Sequence, residues 1–148
     1  MVVKNALKSV RVLYLDTAPV IYVVEAHPQF GLVAREVFVA IDRGEVIGVT
    51  SYITLMECLV LPYKTGNVQQ QRVFTEMICS GKNTRFARMT QTIAKEAARF
   101  RAVYNLSLTD AIQIATALEA GCDAFLTNDK GLRRVTELNI LVLEDLTV

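Results

Sequence analysis

The sequence predicts a single α/β domain in three layers, α/β/α, around a central parallel sheet of about five strands. Three observations predict it. Short apolar runs alternate with longer segments of helical periodicity, the pattern of parallel strands buried on both faces and joined by helical crossovers. The chain has 148 residues, of which 52% are apolar, enough for one compact core. Only 7 Gly and 3 Pro interrupt the pattern, and no linker, internal repeat or low-complexity tract divides residues 1–148, which excludes a disordered chain.

The first strand is expected at residues 10–15 (VRVLYL), a β-branched and aromatic run that stops at Asp16, with a helix over 17–25. Residues 32–43 place Val33, Val37, Ala40 and Ile41 on one stripe, and Gly44 stops that helix. A second strand at 46–49 (VIGV) leads to a helix over 51–61 that is apolar almost all round. Residues 68–79 pair Val73, Phe74, Met77 and Ile78, and 86–89 (FARM) form a weak strand. Residues 91–104 set Ile93, Ala97, Phe100 and Tyr104 on an amphipathic stripe. A helix over 109–120 ends at Gly121, shortly before a brief strand at 124–126 (AFL), and 140–143 (ILVL) is the last strand. These stripes read as core. In open parallel sheets ligands bind beyond the carboxyl ends of the strands, so polar residues there carry the functional argument.

Composition narrows the chemistry. Sixteen Lys and Arg against 15 Asp and Glu leave a net charge of +1, so no global field steers a nucleic acid and any such affinity comes from local patches. Cys58, Cys79 and Cys122 form no CxxC pair and read as free thiols in a reducing compartment, not as a zinc site or disulfide framework. The one histidine, His27, lies in the turn-like AHPQF and reads as solvated. It excludes an HExxH zinc site and leaves a Ser-His-Asp triad resting on a turn residue. No apolar run approaches the roughly 18 residues that span a bilayer, and MVVKNALKSVRVLYLD is too interrupted for a secretory signal. The expectation is a soluble, cytoplasmic protein without membrane contact, whose hydrolytic chemistry rests on carboxylates.

Four acids stand out. Asp16 closes the first strand, where Asp-Thr before a helix also reads as an N-cap. Glu57 is the only charged side chain between Glu45 and Lys64; on so apolar a helix it is expected to face a cleft or take up a proton, because burying it alone costs several kcal/mol. Asp110 follows Ser107 in a capping-box pattern. Asp129 sits in Asn-Asp-Lys-Gly, ordinary turn chemistry. Singly, each has a structural explanation. Jointly, acids gathered at one sheet edge repel one another, and a divalent cation removes that conflict; oxygen-only ligands favour Mg²⁺ or Mn²⁺. Glu36, Asp42, Glu76, Glu96, Glu119 and Glu137 read as solvated.

The segments LYLDTAPVIYVVE, TLMECL and LSLTDAIQIATALEAGCDAFLTND resemble the PIN domain, in particular the VapC-type ribonuclease toxins of toxin–antitoxin pairs. The likeness runs from about residue 11 to residue 143 and is most specific in D-A-x-x-x-A-T-A-L followed by L-T-N-D. The resemblance implies a metal-dependent endonuclease acting on single-stranded or structured RNA, with Mg²⁺ or Mn²⁺ held by Asp16, Glu57, Asp110 and Asp129. Asp16 and Asp110 bind the principal ion in this reading, while Glu57 and Asp129 position water or a second ion. Thr127 accompanies the last acid, and Thr17 supports the first. A small antitoxin is the implied partner. The apolar surface around 51–63 and 68–79 is the expected place for a partner segment or a second copy in a homodimer.

Ten of the sixteen basic residues are Arg, which suits phosphate contact. Lys130, Arg133 and Arg134 follow Asp129 and are the expected RNA contacts; Lys82, Arg85 and Arg88, with Phe86, form a second cluster. Two alternatives share parts of this pattern: a PIN nuclease in RNA processing without an antitoxin, and a non-catalytic α/β binding module with an acidic pocket. A receiver-like module lacks its acidic pair at Asp16, and a haloacid-dehalogenase phosphatase requires DxDxT where this chain has LDTAP.

Overall fold

The computed structural model describes residues 1–148 and contains five strands, all parallel, in the spatial order β3-β2-β1-β4-β5. The strands are β1 (Val12–Leu15), β2 (Ile47–Ser51), β3 (Thr84–Ala87), β4 (Ala124–Thr127) and β5 (Asn139–Val142). Seven helices accompany them: α1 (Val3–Ala6) precedes β1, and α2 (Thr17–Val24), α3 (Gly31–Asp42), α4 (Tyr52–Thr65), α5 (Val68–Ser80), α6 (Gln91–Tyr104) and α7 (Leu108–Glu119) lie between strands.

Strand alternation divides the core. Leu13, Leu15, Ala124 and Leu126 pack with α1 to α5, whereas Tyr14, Val49 and Phe125 pack with α6 and α7. Successive side chains on a strand point to opposite faces, so adjacent residues of β1 and β4 serve different layers. The chain steps outward from β1 through β2 to β3, then returns across the sheet through α6 and α7 to place β4 on the other side of β1. Right-handed crossovers running in opposite directions put their helices on opposite faces. The reversal falls at the carboxyl ends of β1 and β4, the place where open α/β sheets bind ligands.

The sheet agrees with expectation, with shifts at the ends. The weak strand lies at Thr84–Ala87, two residues before the expected FARM segment, because Thr84 to Ala87 are the residues that pair with Gly48 to Ser51. It is an edge strand, half-covered, so its hydrophobic pattern is faint. The helix expected over 51–61 runs past Pro62 to Thr65 and ends at Gly66 with φ +66°, a left-handed conformation that glycine adopts without a Cβ clash. Gly44, which stops α3, has φ +76°. The single turn α1 was not expected; four residues are too few to show a period.

His27 corrects the solvated reading. Its Nδ1 accepts the backbone N–H groups of Gln29 and Phe30, each at 3.1 Å. Its ring packs against Tyr22 and Phe30 with centroids 4.5 and 5.2 Å away. It organises the turn between α2 and α3. No helix is long and apolar enough to cross a membrane.

Candidate metal site at the end of the sheet

Asp16 is the first residue after β1 and the N-cap of α2, and it is 8% exposed. Its Oδ1 accepts the Thr17 backbone N–H at 2.7 Å and the Gln113 side-chain amide at 3.0 Å; its Oδ2 accepts the Thr127 hydroxyl at 2.7 Å. The capping role and a site role therefore coincide in one carboxylate. Burial is the main cause that raises the pKa of Asp16, and the charge of Asp110 adds to it, against the three hydrogen bonds.

Asp110 lies in the first turn of α7, where its backbone N–H donates to Ser107 Oγ at 3.2 Å. The capping pattern is real, and it leaves the carboxyl half-buried. Burial first, then the charge of Asp129, raises its pKa, while Ser107 and Arg134 act in the opposite direction. Asp129 follows β4, is exposed, and accepts the Gly131 N–H on Oδ1 at 2.8 Å. Its own N–H donates to Thr127 Oγ1 at 3.0 Å, so Thr127 ties the first acid to the last.

Of the two expectations for Glu57, facing a cleft or taking up a proton, the exposed position agrees with the first. Glu57 is exposed on α4 and accepts the Thr17 hydroxyl on Oε1 at 2.7 Å. The physical reason is that α4 has an uncovered face: Tyr52, Met56, Val60, Leu61 and Tyr63 are each roughly half or more exposed. The apolar side chains around Glu57 on this face are themselves in water. Cys58 is buried beneath this corner, and its thiol is pushed up to about 12, by burial first and then by Glu57, Asp16 and Glu25.

The arrangement is thus a chain of neighbours: Glu57 to Thr17, Thr17 to Asp16, Asp16 to Thr127, Thr127 to Asp129, with Asp110 close enough to influence Asp16 and to feel Asp129. No three His, Cys, Asp or Glu side chains form a ready-made cluster that could hold an ion. The donor set nevertheless fits a hard divalent cation. Every candidate ligand is oxygen, and none of the four acids is engaged in an ion pair with Lys or Arg. Two of them, Asp16 and Asp110, have raised pKa values because of burial first and then a neighbouring carboxylate, Asp110 for the former and Asp129 for the latter, a cost that a bound cation offsets.

The expected RNA contacts are partly engaged. Lys130 pairs with Glu144 at 3.1 Å, and Arg133 pairs with Asp145. Both pairs are exposed, and such pairs are worth little against a competing phosphate. Arg134 is held differently: it donates to the carbonyls of Tyr104, Gly131 and Asn105 at 2.9, 3.1 and 3.3 Å. It closes the carbonyl end of α6 and anchors the turn after Asp129.

Sequence reasoning missed Gln113, which is fully buried and bonded to Asp16. The available signal was a lone amide within the apolar run AIQIATAL. Tyr14, Ser51 and Thr54, which surround it, were equally unmarked, because hydroxyls are common on strands and at helix starts.

A family model for the PIN domain matches residues 13–138, a span that includes all four acids and Thr127. No curated protein matches the chain at the level of sequence. Among solved structures, a toxin–antitoxin complex from Klebsiella pneumoniae is similar with TM-score 0.66 and 22% identity, covering 88% of this chain and 97% of that one. VapBC2 from Rickettsia felis, bound to a promoter DNA fragment, is similar with TM-score 0.69 and 14% identity, covering 88% and 98%. VapC20 of Mycobacterium tuberculosis, a sarcin-ricin loop cleaving toxin, is similar with TM-score 0.64 and 16% identity, covering 76% and 86%. At these identities the structures establish a shared fold. With the family match running from β1 through both acid-bearing helix starts to the turn beyond β4, the chain belongs to the PIN domain family.

Proposed function

We propose that this chain is a metal-dependent endoribonuclease that hydrolyses phosphodiester bonds in single-stranded RNA, and that it is the toxin of a toxin–antitoxin pair. The observation that carries the reading is the meeting of Asp16 and Thr127 at the strand-order reversal, with Asp110 and Asp129 alongside and no cationic side chain paired to any of the acids. Family membership supports a nuclease. The toxin–antitoxin neighbours, one of them a sarcin-ricin loop cleaving toxin, support RNA as substrate and a small antitoxin as partner.

Asp16 and Asp110 are the residues that would hold the principal cation, Mg²⁺ or Mn²⁺. When bound, it supplies Lewis-acid stabilisation of charge on phosphoryl oxygens and lowers the pKa of water. Thr127 and the Thr17 N–H hold Asp16 in place, so its orientation costs little reorganisation when substrate arrives. Glu57, tethered by Thr17, and Asp129, tethered by Gly131, stay exposed. They orient the attacking water, accept its proton or hold a second ion. Lys130 and Arg133 exchange their surface carboxylate partners for RNA phosphates. The uncovered apolar face of α4 receives an antitoxin segment or a second copy of the chain.

Purified wild-type, Asp16→Asn and Asp110→Asn proteins, incubated with single-stranded RNA in Mg²⁺ with and without EDTA, test the reading. Each substitution is expected to lower the cleavage rate by at least about a hundredfold, more than loss of an outer partner does. Unchanged Mg²⁺-dependent cleavage in either variant overturns the assignment. Expression with and without the adjacent small gene, with mapping of RNA 5′ ends, tests the toxin role.

A further inference from the structure

Beneath Asp16 runs a line of polar side chains that packing alone does not explain. Tyr14, Thr54 and Gln113 are fully buried and Ser51 nearly so. Ser51 Oγ lies 2.8 Å from the Tyr14 hydroxyl, which donates to Gln113 Oε1 at 3.2 Å; Gln113 Nε2 donates to Asp16 Oδ1 at 3.0 Å. Gln113 Oε1 has a second hydroxyl donor in Thr54 Oγ1 at 3.4 Å, so two buried hydroxyls serve the amide oxygen. Ser51 Oγ in turn accepts the Ile53 N–H at 3.2 Å. Thr54 Oγ1 also donates to Leu15 O at 3.3 Å. Ser51, Tyr14, Thr54 and Gln113 therefore form one connected buried network that ends on Asp16, and bonds so connected polarise one another.

Ionised Asp16 orients the Gln113 amide: reversed, the amide oxygen would face the carboxylate oxygen that its Nε2 now meets. Gln113 also lies one helical turn beyond Asp110 on α7, so the helix that carries one acid reaches back to hold the other. A carboxylate offers about four acceptor positions, two on each oxygen. Oδ1 of Asp16 takes Thr17 N–H and Gln113, and Oδ2 takes Thr127 alone.

We propose that Gln113 is a positioning residue for the cation site: the Ser51–Tyr14–Gln113 line fills Oδ1 of Asp16 and leaves Oδ2 as the atom that Asp16 offers a divalent cation. This rests on the reading of Asp16 as a metal ligand.

Mn²⁺ binding to the whole chain without RNA, followed by the EPR signal of free Mn²⁺, tests it in wild type, Asp16→Asn, Gln113→Met, Tyr14→Phe and the Gln113→Met/Tyr14→Phe pair. Methionine keeps the length of the side chain without the amide, and near-UV circular dichroism reports native packing. Gln113→Met is expected to weaken Mn²⁺ binding about ten- to a hundredfold. Tyr14→Phe is expected to weaken it less, and the double variant to match Gln113→Met, because Tyr14 acts through Gln113. Wild-type affinity in Gln113→Met overturns the proposal, as do losses that multiply in the double variant. If Gln113→Met does not fold, wild-type affinity in Tyr14→Phe overturns it. A wild type that binds no Mn²⁺, or Asp16→Asn binding as tightly as wild type, overturns the ligand reading and the proposal with it. A weakened Asp16→Asn beside an unchanged Gln113→Met overturns the proposal alone.

Discussion

Thr127 donates its hydroxyl to Asp16 Oδ2 at 2.7 Å across 111 residues of sequence, joining the carboxyl ends of two neighbouring strands. Thr127 Oγ1 in turn accepts the Asp129 N–H at 3.0 Å. One buried hydroxyl thus sets the position of the most buried acid and the start of the turn that carries an exposed one. Thr127→Val keeps the shape and removes both bonds. It is expected to destabilise the fold by about 1–3 kcal/mol, the cost of leaving buried polar groups unpaired. Urea denaturation measures that cost, and RNA cleavage is expected to fall about tenfold or more.

Acid is expected to stabilise the metal-free protein before it destabilises it. Asp16 and Asp110 have raised pKa values in the fold, through burial first and neighbouring charge second. A carboxyl with a raised folded pKa binds more protons folded than unfolded, so its contribution to stability falls as pH rises through that interval and recovers as pH is lowered. Asp123 has the opposite sign: backbone N–H groups of Val12 and Arg11 lower its pKa, so its contribution is lost as pH falls through the folded value. Thermal midpoints in EDTA are expected to rise as pH is lowered through the raised folded pKa values of Asp16 and Asp110, and to fall in stronger acid as carboxylates such as Asp123 are protonated. In Asp16→Asn the rise is expected to shrink. A midpoint that falls steadily from neutrality contradicts this account.

Arg134 acts as a fork. Its Nε and Nη2 donate to the carbonyls of Tyr104 and Asn105, and its Nη1 to Gly131. A lysine cannot reproduce that planar set of donors, so Arg134→Lys is expected to lose nearly as much stability as Arg134→Ala, about 1–2 kcal/mol by chemical denaturation. Full stability in Arg134→Lys would mean that charge alone matters there.

Lys130 and Arg133 hold only exposed carboxylates, so their removal is expected to spare stability and weaken RNA. Lys130→Ala and Arg133→Ala are each expected to reduce affinity by a similar factor for unrelated RNA sequences. Each is also expected to lower the slope of log affinity against log salt by about one. Fluorescence anisotropy at several salt concentrations measures both, and unaltered binding excludes this face as an RNA contact.

The uncovered side of α4 carries Met56 and Val60, each more than half exposed. If a second copy covers this face, light scattering after size exclusion finds a dimer at micromolar concentration, and Met56→Glu shifts it toward monomer by placing a charge in an apolar contact. A wild type that is purely monomeric excludes the dimer.

The strand–helix alternation, the ends of α3 at Gly44 and α7 at Gly121, and the positions of Asp16, Asp110 and Asp129 at element boundaries were legible in the sequence. Each depends on interactions between residues close along the chain: periodic burial, left-handed φ values of +76° and +72° at the glycines, and capping of free N–H groups. The edge strand β3 was displaced by two residues because an edge lacks the two-sided burial that makes a strand pattern sharp.

Local sequence therefore determined the family, the layered α/β architecture and which acids stand at the ends of elements. Tertiary structure alone decided which side chains are dry and which oxygen meets which donor. The sequence left Glu57 either facing a cleft or protonated; α4 exposes it and its apolar neighbours to water. Gln113 looked like one more helical residue, yet it spans from Tyr14 to Asp16, 97 residues away from the carboxylate it binds. Capping and periodicity act within a few residues, whereas burial and long-range hydrogen bonding exist only once the strand-order reversal has brought β1 and β4 side by side.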